Sequence, residues 1–190
     1  MKNFLLLLLL LASASAYAQT EASIRAHYTD VNKRIAESLE NGYEGALYQD
    51  QLVRNKNGKS WPAVGYFTDT LNFWYDDDPD HLPASERNPK NVLLKVTKSA
   101  RYGADVHAIE EYLYKDGKLL FYYSWWAEEG NLWETRVYYS SKGIAFKKSV
   151  KLNGKELTPA ELAGEYKDQR PDVAKILAEG KSYQVFYLRW

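Results

Sequence analysis

An α+β domain is predicted by this sequence: an N-terminal helix packed on a curved antiparallel β-meander, then two short C-terminal helices and a final strand. Three observations carry that expectation. Apolar residues recur at helical spacing near the start of the chain. From Ala46 to about Leu157 they alternate with polar residues between Gly-containing turns, the pattern of strands joined by hairpins. At Thr158-Pro159-Ala160-Glu161 a helix start returns, with a capping Thr, Pro at the first helical position and Glu three residues after the cap.

The first helix is read from Ile24, Tyr28, Val31, Ile35 and Leu39, which form one apolar stripe. Thr20 is its expected N-cap, and Asn41-Gly42 its stop, because Gly accepts the left-handed conformation that ends helices. Arg25, Asp30, Lys33, Arg34 and Glu37 fall on the opposite, solvated face. Strands are expected at 46–53, 60–66, 68–75 and 91–98. Asn57-Gly58 should turn the first pair, and Val92, Leu94 and Val96 should share one face. The clearest hairpin centres on Asp116-Gly117. A two-residue turn there would pair Tyr114 with Leu119, Tyr112 with Phe121 and Glu110 with Tyr123 on one face. The other face would pair Leu113 with Leu120, Glu111 with Tyr122 and His107 with Trp126. A further hairpin joins 132–139 to 144–150, and Asn153-Gly154 turns the chain again. Gly164 stops one short helix and Gly180 a second, and 182–190 alternates as the closing strand.

Met1-Lys2-Asn3, the apolar run Phe4 to Leu11 and the small-x-small site Ala16-Tyr17-Ala18 read as a secretory signal peptide over 1–18, cleaved near Ala18. Residues 19–190 then form a single α+β domain, periplasmic or secreted. The chain has 25 Lys and Arg against 25 Asp and Glu, so it carries no electrostatic footprint for nucleic acid. No later run suits a membrane span. The absence of cysteine removes disulfides, thiolate metal sites and a lipid-modified cysteine anchor.

Lys59-Ser60-Trp61-Pro62-Ala63-Val64-Gly65-Tyr66, together with Phe73-Trp74-Tyr75 and the Glu111 to Tyr123 hairpin, resembles an uncharacterised family of small exported proteins of Gram-negative bacteria. That resemblance implies export and a β-rich fold. It assigns no activity and no site residues.

Aromatic content is the compositional outlier, at 15% of the chain with 16 Tyr and 6 Trp. Tyr and Trp favour strands and also recur on recognition surfaces. The expected function is therefore binding, to a saccharide or a protein partner, through an aromatic-rich sheet face with Tyr122, Trp126 and Trp133 as contacts. The alternative is a hydrolase of envelope or extracellular polymers using strand carboxylates such as Glu111 and Glu134, which would have to share a concave pocket. Asp76, Asp78 and Asp80 alternate as in the first half of a calcium loop, although His81 stands where the loop's sharp-turn Gly belongs. Calcium is the one cofactor this spacing suggests. His107 and Glu111 share a strand face without the spacing of a zinc site.

Overall fold

The computed structural model describes residues 20–62, 65–76, 92–103 and 106–187. The segment 1–18, expected to be a signal peptide, lies outside them. Helix α1 (Glu21–Asn41) leads into strands β1 (Tyr48–Arg54), β2 (Phe67–Tyr75), β3 (Leu93–Tyr102), β4 (Val106–Lys115), β5 (Lys118–Glu128), β6 (Asn131–Tyr139), β7 (Ala145–Leu152) and β8 (Lys155–Glu156). Helices α2 (Pro159–Ala163) and α3 (Val173–Tyr187) follow. The strands form one open antiparallel sheet in sequence order, with β1 and β8 at its edges. The α+β expectation holds at that level.

Turn chemistry explains the meander. Asp116-Gly117, Glu129-Gly130 and Asn153-Gly154 each place two consecutive residues at positive φ. That conformation matches the right-handed twist of the flanking strands. The expected Asn57-Gly58 hairpin turn is not found. Positive φ falls on Asn55 and Gly58, and β1 pairs with β2 across a longer connection. Within that connection Trp61 and Gly65 make only an isolated bridge, and the described residues of the stretch expected at 60–66 form no strand. Pro62 lacks the N–H a ladder needs.

The two sides of the sheet are covered by different helices. On one side, Ile24 and Val31 of α1 pack with Leu113, Leu120, Phe121 and Tyr138, and Tyr28, Ile35 and Leu94 join them. Thr20 caps the helix in a reciprocal pair with Ser23. Leu39, expected on the buried stripe, is 65% exposed. Ser38 is buried instead. Its Oγ donates to the Arg34 carbonyl at 2.8 Å and accepts from the Leu47 N–H at 3.0 Å, which ties the chain leaving α1 back onto the helix. On the other side, Val173, Ile176, Leu177 and Tyr183 of α3 pack on Phe73, Val96, Tyr112, Tyr114 and Val137. A satellite cluster of Trp133, Val150 and Leu157 is closed by Leu162 of α2 and by Tyr166. Burying each such side chain contributes about 1.5–3 kcal/mol.

The expected closing strand is helix. α3 runs through Gly180 to Tyr187, while 188–190 lie outside the described residues. Asp172 Oδ1 caps it, accepting from the N–H groups of Ala174 and Lys175. Gly180 does not stop the helix; it lets the helix approach the sheet. A Cβ there would lie 2.9 Å from Leu119 Cδ2 and 3.3 Å from Tyr112 Cδ1. Tyr183, one turn on, then packs edge-on against both Tyr112 and Phe73.

Three register shifts interrupt the ladder, between β2 and β3, β4 and β5, and β6 and β7. The central one decides where the aromatic side chains point. Tyr114 pairs with Leu119 as expected, but Leu113 pairs with Phe121, leaving Leu120 as an extra residue. Both Leu120 and Phe121 then face α1. Beyond the bulge the expected pairs are displaced by one: Tyr112 with Tyr122, Glu111 with Tyr123, Ile109 with Trp125 and His107 with Ala127. The shift between β2 and β3 likewise divides the residues expected together, sending Leu94 to the α1 cluster and Val96 to the α3 cluster.

Candidate binding faces of the sheet

The displaced register separates Trp125 from Trp126. Trp126 points to the α2/α3 side, where it stacks on Trp133 with ring centroids 5.8 Å apart and planes 14° apart. Tyr166 meets Trp133 edge-on at 5.6 Å. Trp133 is 9% exposed and Tyr122 7%, so of the three expected contacts Trp126 alone is half-exposed. Tyr122 lines a cleft of about 410 Å³ between the sheet and the start of α3, together with Ser124, Thr135, Glu110, Lys98 and Glu179. Lys98 Nζ lies 2.7 Å from Glu110 Oε1 and 3.7 Å from Glu179 Oε1. Tyr112 donates to Glu110 Oε2 at 2.8 Å and Tyr183 to Glu179 Oε1 at 2.8 Å. Burial and these carboxylates hold the phenols of Tyr112, Tyr122 and Tyr183 above the ordinary tyrosine range.

On the α1 side the helix seats on the half of the sheet near the Asp116-Gly117 turn. His27 Nε2 meets the Tyr114 carbonyl at 2.9 Å, and Lys147 bonds Glu21 at 2.6 Å. Lys95 is 3% exposed; its ammonium pairs with Glu111 at 2.9 Å, donates to Asn32 Oδ1 at 2.6 Å and lies over the Tyr28 ring at 4.8 Å. Tyr28 donates to Glu111 Oε2 at 2.6 Å. Burial lowers the Lys95 ammonium's pKa, opposed by Glu111, and burial with Glu111 raises the Tyr28 phenol.

Past this junction the same side presents a row running across the strands: Val53, Thr70, Ser99, Ile109, Trp125, Glu134 and Lys151. Successive members are register partners from β1 to β7, and every one is half-exposed. Trp125 is its one aromatic member, on β5 next to the central Ile109, with the His107 ring edge-on at 5.1 Å and His107 Nε2 3.4 Å from Ser99 Oγ. Beside the row runs a ladder of polar side chains. Gln49 and Gln51 both donate to Asn72 Oδ1 at 2.8 Å, and Asn72 donates to Thr97 Oγ1 at 3.3 Å. Arg136 pairs with Glu134 at 2.8 Å and lies over the Tyr123 ring at 5.1 Å.

No family model matches this chain, and neither the curated proteins nor the solved structures include a significant match to it. Function must therefore be argued from these side chains.

Glu111 and Glu134 are both on the α1 side, each already paired with its own cation, Lys95 and Arg136. Asp76 directly follows β2, with its Oδ2 2.5 Å from Arg34 Nη2, while Asp78 and Asp80 lie outside the described residues. The sequence expectation counted the hairpin without a bulge and named Trp126, not Trp125, as a contact. The available signal was Leu119-Leu120-Phe121, three consecutive apolar residues in a strand whose two faces are both buried at that end.

Proposed function

We propose that this is an exported binding protein that holds a saccharide on the α1 side of its sheet, with Trp125 as the stacking surface. One observation carries the reading: a half-exposed aromatic ring within a seven-strand row that is bordered by side-chain amides and hydroxyls. A sugar ring offers an apolar C–H face to an aromatic plane and a rim of hydroxyls to such donors and acceptors. The three bulges strengthen local twist, which favours a sheet curved around its ligand. Hydrolysis needs two carboxylates free to act as acid and base or nucleophile. Glu111 and Glu134 are committed to ion pairs, so binding is the preferred reading.

Titration calorimetry of the 19–190 chain against neutral oligosaccharides tests it, with Trp125→Ala and Trp126→Ala beside the parent. Trp125→Ala should abolish binding while circular dichroism stays unchanged. Loss of binding in Trp126→Ala alone, with the fold intact, would move the site to the α2/α3 side. Failure of every saccharide to bind, with capture of a protein partner that Trp125→Ala abolishes, would replace the ligand class.

A further inference from the structure

Resting on that reading, we infer that the ligand is a neutral, extended polysaccharide lying across the strands, and that the site is a track of several sugar subsites. The geometry argues for length. The row takes one residue from each of seven strands, and none of the seven is buried or fully exposed. Strands stand about 4.8 Å apart, so the row measures about 29 Å. The polar ladder at Gln49, Gln51, Asn72 and Thr97 lies on β1 to β3, while Trp125 is on β5. Asn72 is in register with Tyr123 on β5, so it is about 14 Å from Trp125 across three strand spacings and about 7 Å along them. A single sugar stacked on Trp125 could not reach it, whereas a chain of several could.

The charges argue for neutrality. Glu111 is matched by Lys95 and Glu134 by Arg136. Lys151 stands in register between Glu134 on β6 and Glu156 on β8. Along the row and its border the three carboxylates Glu111, Glu134 and Glu156 face the three cations Lys95, Arg136 and Lys151. Arg101, exposed at the far corner of β3 beside His107, is the exception. A uronic acid repeat would find no surplus of cations along the track, whereas uncharged hydroxyls suit amides, Thr and Ser.

Affinity measured over a length series of one neutral oligosaccharide, with a uronate series of matched length, tests the inference in the 19–190 chain and in Asn72→Ala. Affinity for the neutral series should rise by tenfold or more from two sugars to about six, then level off. Asn72→Ala should weaken the long oligomers several-fold and leave the disaccharide unchanged. Length-independent affinity that Trp125→Ala still abolishes would overturn the track and keep the Trp125 site. Tighter binding of the uronate series, lost on Arg101→Gln, would overturn neutrality. No binding by either series would remove the saccharide reading itself.

Discussion

Raising pH should unfold this protein abruptly, because its core holds tyrosines that cannot ionise in place. Tyr112 and Tyr114 are 0% exposed, Tyr139 1% and Tyr122 7%. The Tyr114 hydroxyl donates to the Gly180 carbonyl at 2.9 Å and the Tyr139 hydroxyl to the Val173 carbonyl at 3.0 Å, so α3 is pinned to the sheet by protonated phenols. Burial comes first in raising all four above the ordinary value, with nearby carboxylates adding to it. The folded state keeps these protons while the unfolded chain loses them above a pKa of about 10. Stability is thus fully present below that value and falls above it. One unit above, each phenol removes about 1.4 kcal/mol, and the four together about 6, against a typical total of about 5–15. Lys95 acts in the opposite sense, since its lowered pKa makes stability rise with pH just below the ordinary lysine value, but it is one group against four. Phenolate absorbance and far-ultraviolet circular dichroism, followed together through an alkaline titration, should show a gradual phase and then a steep one coincident with loss of secondary structure. A single smooth phenolate titration around the ordinary tyrosine value, completed with the fold intact, would refute the reasoning.

Two further outcomes follow from the packing. Lys95→Ala leaves the 16% exposed Glu111 carboxylate without its ammonium and should cost about 3–5 kcal/mol in urea denaturation, whereas Lys95→Met with Glu111→Leu should recover most of it. An effect of Lys95→Ala below about 1 kcal/mol would mark the pair as an ordinary surface bridge. Gly180→Ala gains about 1 kcal/mol of helix propensity but meets Leu119 and Tyr112 in a packed core, an overpacking cost of about 1–3 kcal/mol. The melting temperature should fall or stay level for Ala and fall clearly for Val. A rise of several degrees for Ala would place Gly180 away from the sheet.

What could be read from the sequence was local. The caps at Thr20 and Thr158 and the turns at Asp116-Gly117 and Asn153-Gly154 depend on residues within four positions of each other, and each stands as expected. The last segment failed because 182–187 alternates aromatic with other residues and also fits a helical stripe begun at Val173 and Ile176. Period alone does not separate the two over so short a stretch. Contact with Phe73 and Tyr112, more than seventy residues earlier, decides it. Leu39 failed for a similar reason: the close passage of Gly45 buries Ser38 in its place.

The register error at Leu120 has the widest consequence for function, and its cause is energetic. A regular hairpin from Asp116-Gly117 would send Leu120 to the α1 side and Phe121 to the α3 side. α1 presents Ile24, Tyr28 and Val31 at that end, a surface large enough to bury two side chains from β5. The edge-on contact of Tyr28 with Phe121 at 5.3 Å and the tilted Phe121–Tyr138 contact at 4.8 Å are the gain. The cost is one unpaired residue in the ladder, which a bulge tolerates. Because side chains alternate with period two, that inserted residue reverses every position after it. Tyr122 and Trp126 then go to the α2/α3 side, and Tyr123 and Trp125 to the α1 side, beside Arg136 and His107 respectively. The packing of the first helix near the hairpin turn thereby determines which tryptophan faces the α1 side at the far end of the same strand.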